Sequence, residues 1–254
     1  MVSDDLSACA DLVRRGDPDR FLAVMAAPPD ARVRLFPIYA FNLEVARAPW
    51  VTQEPLIAEM RLQWWRDALE EIATGGTVRR HEVVTPLSDC LSPDMARTLD
   101  TLIEARRWDV HEQSFESEDA FRAYIEATGG TLMLVAGQSL GAQDVDLLSD
   151  AGYATGLANW FCAIPELEAR GKQPLADGRP EAVQALAREG LARLKRARRG
   201  AIERGARPAL LAAWQAGAVL TRAAKDPARV AEGKLLSSEF RRRATLLVRV
   251  MTGR

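Results

Sequence analysis

Carboxylates four residues apart recur along the chain, at Asp67/Glu71, Asp100/Glu104 and Asp146/Asp150. On a helix that spacing puts both groups on one face. Two carboxylates so placed could together hold a divalent cation. Each pair also has a plainer use. Asp146 stands where a helix begins, and acids there serve the cap and the dipole. Arg66, Arg106 and Arg107 lie close to the other two pairs, which suits surface ion pairing. His81 and His111 are the two histidines, too few for a His-rich metal site and poorly matched to a Ser-His-Asp triad. Cys9, Cys90 and Cys162 are far apart and form no CxxC, so a disulfide framework is not expected and a reducing compartment fits.

A second chemistry is carried by basic residues. Arg193, Arg196, Arg199, Arg204 and Arg207 fall in one run, RLKRARRGAIERGAR, whose spacing lets most of them share a broad helical face. That face could meet anionic lipid headgroups or an acidic protein surface, or it could simply be solvated. The formal net charge of −1 and the pI of about 6.2 argue against nucleic acid as a partner. Arginine far outnumbers lysine and alanine is abundant, a pattern expected of GC-rich bacterial coding.

The elements that must position these groups read as helices. Pro55 opens a run with apolar residues at Ile57, Met60, Trp64 and Ala68 and again at Trp65, Leu69 and Ile72, closed by Gly75-Gly76. Adjacent tryptophans on a helix point about 100° apart; the stripe puts Trp64 in the core, with cavity lining as the other use of its ring. Ser92-Pro93 and Ser117 read as N-caps. The Ser117 segment runs to Gly141, and Gly129-Gly130 inside it permits a kink or a close approach. Asp144 or Asp146 opens a helix through Tyr153, Leu157 and Phe161 that Pro165 kinks or ends. Pro180, Pro208 and Ser238 start three more. Strand signals are nearly absent, so the chain reads as all-α: eight or nine helices in one domain over residues 1–254, with residues 1–16 as a loosely ordered N-terminal segment. The N-terminus has the look of neither a signal nor a transit peptide. The most apolar stretch, Leu132 to Leu140, is too short to span a bilayer. A cytoplasmic protein, peripheral at most to the inner membrane, is the expectation.

Several segments carry a family resemblance: DRFLAVMAAPPDARVRLFPIYAFNLEVAR with EMRLQWWRDALEEI, then AYIEATGGTLMLVAGQSLG, GYATGLANWFCAIPELEARGKQPL and RPALLAAWQAGAVLTR. Together they resemble the squalene/phytoene synthases and their non-catalytic relatives, which include a mitochondrial assembly factor for respiratory complex I. The resemblance implies an isoprenoid-synthase-like helical bundle around a central prenyl-sized cavity. The enzymes of that family join two prenyl diphosphates head to head with Mg²⁺ held by two acidic motifs.

Here the motifs are gone. The resemblance places the first at Ala46, Arg47 and Trp50 and the second at Ala163 and Leu167, and an arginine in a ligand position repels Mg²⁺. It leaves as cavity or ligand candidates Tyr39, Phe41, Asn42, Glu44, Arg61, Trp64, Asn159 and Arg170. Glu44 could be a displaced ligand. Asn42 and Asn159 could hydrogen-bond where metal ligands otherwise stand, or belong to a buried network. Arg61 and Arg170 could grip a diphosphate or an acidic partner, or form structural ion pairs. The expectation is a protein with no catalytic residues and no metal or cofactor, acting as an assembly or accessory factor or binding a prenyl lipid, with a protein partner. The alternative is a divergent prenyltransferase that still uses Mg²⁺.

Overall fold

The computed structural model describes residues 4–52, 54–111 and 114–252, and its regular structure there is helical throughout. The helices are α1 (Asp4–Gly16), α2 (Pro18–Met25), α3 (Pro29–Arg47), α4 (Pro55–Thr74), α5 (Val84–Ser88), α6 (Pro93–Val110), α7 (Glu118–Ile125), α8 (Thr131–Ser139), α9 (Val145–Ala169), α10 (Pro180–Ala197), α11 (Arg207–Leu210), α12 (Ala216–Lys225), α13 (Ala228–Ala231) and α14 (Glu239–Thr252). The chain divides into two compact units. The first comprises Met1–His111, Leu134–Gln143 and Glu203–Ala209; the second, Glu112–Met133, Asp144–Ile202 and Leu210–Arg254. Among the described residues no helix is long and apolar enough to cross a membrane.

In the first unit, α1 packs on α2 and α3. The sequence makes residues 1–16 a loose segment, but Asp4–Gly16 is a helix. Asp4 and Asp5 oppose the dipole at its start and Arg14 and Arg15 at its end. Cys9 and Val13, four apart, are wholly buried and tie it down, and Cys9 Sγ donates to the Glu82 carbonyl at 3.4 Å. The helix α4 starts and stops where the sequence puts it, ending on Gly75 at φ 68°, the left-handed position glycine favours. Its buried stripe is different. Ala58, Leu62, Trp65, Leu69 and Ile72 face the core, whereas Leu56, Ile57 and Met60 are exposed and Trp64 is half-buried. The run holds more apolar residues than one face can bury, so periodicity alone fits two registers. Ser92 caps α6 through the Met95 N–H at 3.3 Å.

In the second unit, Ser117 caps α7 through Ala120 and Asp144 caps α9 through Leu147. Between α7 and α8 lies one π-helical turn, Glu126–Gly130. There the chain meets α9 backbone to backbone: a Cβ on Gly152 would fall 2.6 Å from the Gly129 carbonyl oxygen, and one on Gly129 would fall 2.7 Å from Gly156 Cα. Glycine at these positions is what lets the two segments touch. Pro165 does not end α9, which continues to Ala169. The helix keeps Phe161, Ile164 and Leu167 in the core on either side of the proline, and that packing offsets the lost hydrogen bond. Both α10 and α12 pack on α9.

Candidate functional site

The end of α3 carries the first group of candidates. Tyr39, Phe41 and Asn42 are buried, and Phe41 has no exposed surface. The Tyr39 hydroxyl is buried without a hydrogen-bond partner, burial pushes its pKa up to about 12, and the Arg20 guanidinium sits 4.9 Å from its ring centroid. Phe41 meets Trp65 edge-on at 5.5 Å. Trp65 in turn meets Trp64 at 4.9 Å and His81 at 5.5 Å. Trp64 carries Arg79 over its ring at 4.8 Å, and Arg79 is held by Glu71 at 2.6 Å. Of this cluster the sequence offers Phe41 and Trp64. Arg79 and His81 come from the loop after α4, where Arg79 folds back onto Glu71 of α4 itself, a placement that spacing does not reveal. Arg61 lies on the exposed side of α4.

At the positions where the family resemblance puts the first acidic motif, Arg47 is exposed and ion-paired to Glu44 at 3.3 Å. Ala46 and Trp50 are partly buried. The sole carboxylate in this stretch is therefore neutralised by its own helix.

The second group lies on α9. Leu167 is buried, Ala163 is partly buried, and Asn159 is exposed rather than part of a buried network. Arg170 is exposed and paired with Glu166, one turn back. Beside Asn159, Trp160 joins an aromatic cluster with Tyr124 at 5.1 Å and Phe115 at 6.0 Å, and its indole N–H donates to the Pro174 carbonyl at 2.8 Å. The family pattern gives no hint of this cluster.

The donor set at either position does not fit Mg²⁺. Alanine, tryptophan and leucine offer no ligand, which leaves a single carboxylate at each position, Glu44 and Glu166, each shared with an arginine one turn on. Among the described residues no group of three or more His, Cys, Asp or Glu is gathered to hold a metal ion. At least one member of each i, i+4 carboxylate pair is engaged in an ion pair instead. Asp100 and Glu104 hold Arg66 at 2.7 and 3.0 Å. Glu71 holds Arg79, which keeps its carboxyl below the ordinary range. Asp150 holds Arg196 at 2.8 Å. A pocket of about 370 Å³ in the first unit is lined by Arg66, Asp67, Glu70, Arg97 and Asp100 together with Leu69, Ala73 and Ala96, and none of the cavity or ligand candidates opens into it.

The basic run is not one helical face. The helix α10 ends at Ala197, and Arg207 opens α11. Arg193 lies 3.9 Å from the Tyr153 ring centroid and pairs with Glu126, Glu189 and Asp150. Arg199, Arg204 and Arg207 are exposed. Glu189 is one turn back on α10 itself, but Glu126 and Asp150 come from other elements, up to 67 residues away, which is why the run looks uncompensated in sequence.

The squalene/phytoene synthase family model matches residues 13–178. A Drosophila melanogaster protein named NADH dehydrogenase (ubiquinone) complex I, assembly factor 6 homolog is 29% identical over 166 residues, covering 62% of this chain and 50% of that protein. The Homo sapiens assembly factor 6 is 24% identical over 179 residues, covering 65% and 50%. The chain thus spans about half the length of the curated relatives it matches. Among solved structures, a dehydrosqualene synthase in complex with ligand superposes with a TM-score of 0.77 at 15% identity, over 98% of this chain and 96% of that one. Squalene synthase HpnC from Alicyclobacillus acidocaldarius gives 0.59 at 17%, over 98% and 94%. At those identities the likeness is one of fold: the all-α isoprenoid synthase fold.

Proposed function

This chain belongs to the squalene/phytoene synthase family, and from that premise we propose that it is a non-catalytic member that works as an assembly or accessory factor. One observation carries the reading. At both positions where the family resemblance puts metal-binding acids the chain has Ala46, Arg47, Trp50, Ala163 and Leu167, and the nearest carboxylates, Glu44 and Glu166, are neutralised by Arg47 and Arg170. Diphosphate departure needs concentrated positive charge from a metal, and two guanidinium–carboxylate pairs supply neither the ligands nor the net charge. The relatives named as complex I assembly factors agree with a use of the fold other than condensation. No cofactor or metal is needed for that use, and the partner is a protein.

The test is turnover. Purified protein incubated with farnesyl or geranylgeranyl diphosphate and Mg²⁺ is expected to release no more diphosphate than a protein-free control. Metal-dependent release above that control overturns the reading in favour of a divergent prenyltransferase.

A further inference from the structure

The helix α14 is docked with its apolar side outward. Phe240, Ala244, Leu247, Val248 and Met251 follow the spacing i, i+4, i+7, i+8 and i+11, which makes one continuous stripe along a helix. An amphipathic helix of a globular protein turns such a stripe to the core. Here Phe240 is 83% exposed, Leu247 61%, Val248 58% and Met251 78%, and Ala244 is exposed as well. The opposite side holds the contacts. It buries Leu246 and partly buries Arg242 and Arg249 as the helix packs near the turn Leu211–Ala213. Burial and the nearby Arg198 push the Arg249 guanidinium down to about 10, so this is a poor side to bury.

The edges of the stripe identify what covers it. Counting 100° per residue, Arg241 and Arg243 stand roughly 80° to either side of the stripe's centre, and both are exposed. That is where long basic side chains reach up from an interfacial helix to lipid phosphates while their stems lie along the apolar face. Arg243 pairs with Glu239, but both side chains are about two-thirds exposed, so the pair is weak and open to exchange. The helix carries four arginines against one acid.

We propose that α14 is an interfacial membrane-binding helix: the stripe Phe240/Ala244/Leu247/Val248/Met251 inserts into the headgroup region of an anionic bilayer, and Arg241 and Arg243 engage its phosphates. A second copy of the chain fits less well. Two stripes packed on each other bring arginine edge against arginine edge, with Glu239 the sole acid of each helix. The proposal is independent of whether the chain turns over prenyl diphosphates. It also moves the membrane contact away from the Arg193–Arg207 run, where Arg193 and Arg196 are already paired.

The experiment is co-sedimentation of the full chain with phosphatidylcholine vesicles, with and without phosphatidylglycerol, at low and high salt. The parent should bind the anionic vesicles at low salt, and less as salt rises. Phe240→Gln with Leu247→Gln should lose at least about tenfold in binding while keeping the parent's circular dichroism and melting temperature, because both side chains are exposed. Arg241→Gln with Arg243→Gln should bind more weakly and with less dependence on salt. Arg196→Gln should bind as the parent does. The proposal is overturned if the parent does not bind anionic vesicles at low salt, binds neutral ones equally well, or is matched by the Phe240/Leu247 variant. Absence of vesicle binding together with a dimer that this variant abolishes would assign the stripe to a second copy.

Discussion

The helices α10 and α14 have nearly the same vocabulary, leucine, valine and alanine interleaved with arginine, yet the fold uses them in opposite ways. The first buries Val183, Leu186, Ala187, Gly190, Leu194 and Ala197, and its Arg193 and Arg196 find carboxylates on other helices. The second buries Leu246 and leaves its main apolar stripe outside, with Arg249 turned in beside Arg198. Amphipathicity therefore does not say which side faces the protein. The surrounding elements contribute to that choice: they offer Glu126 and Asp150 to the arginines of α10, whereas Arg249 of α14 lies beside another arginine, Arg198. The contrast recurs inside α4, whose Leu62–Trp65–Leu69 stripe is buried while Leu56, Ile57 and Met60 are exposed.

The largest effect is expected where the apolar face is turned inward. Trp65→Ala should cost ~3–5 kcal/mol of stability, measured by denaturant unfolding, because Trp65 is 4% exposed and packs on Phe41 and His81. Trp64→Ala should cost clearly less, since that ring is half-buried under Arg79. Equal losses would put the core of α4 back on Trp64. Next, Leu194→Ala in α10 removes a side chain 3% exposed and should cost ~2–5 kcal/mol.

An intermediate effect belongs to the ion pair beside Trp64. Glu71→Gln should lose about 0.5–1 kcal/mol. Arg79 lowers the folded-state pKa of Glu71 below its ordinary 4.5. The pair's contribution is then complete above that value and fades as pH falls through the lower, folded one. The gap between parent and variant melting temperatures should close in acid and persist at neutral pH. A gap that widened in acid would reverse the sign and the assignment.

The smallest effect is the counterpart on α14. Leu247→Ala should change stability by no more than ~0.5 kcal/mol, because Leu247 is 61% exposed. A loss as large as that of Leu194→Ala would show that α14 buries its stripe in solution and remove the contrast.

What was legible in the sequence was local. The caps at Ser92 and Ser117 and the glycine stop at Gly75 each act within a few residues and stand where the sequence puts them, and of Asp144 and Asp146 it is Asp144 that caps α9. The all-α isoprenoid synthase fold was legible through the family segments. The register of α4 was not, because its apolar residues fill more than one stripe. Nor was the helix over Asp4–Gly16, whose mostly polar residues hide the Cys9/Val13 anchor. At the candidate sites, the residues at the positions the family resemblance marks, Ala46, Arg47, Trp50, Ala163 and Leu167, are non-acidic in the sequence itself. The pairings Glu44–Arg47 and Glu166–Arg170 fall at helical spacings and could have been foreseen. The pairing of Arg193 with Glu126 and the exposure of Asn159 depend on how segments distant in sequence come together, and that of Arg79 with Glu71 on how the loop after α4 folds back.

The central claim is that this family fold has lost the two metal-binding faces and filled their places with neutral or internally paired residues. Calorimetric titration of the full chain with a non-hydrolysable prenyl thiodiphosphate, once with Mg²⁺ and once with a chelator, tests it most directly. The account predicts the same affinity, or the same absence of binding, in both conditions. A Mg²⁺-dependent gain of about tenfold or more, equivalent to ~1.4 kcal/mol, would contradict it.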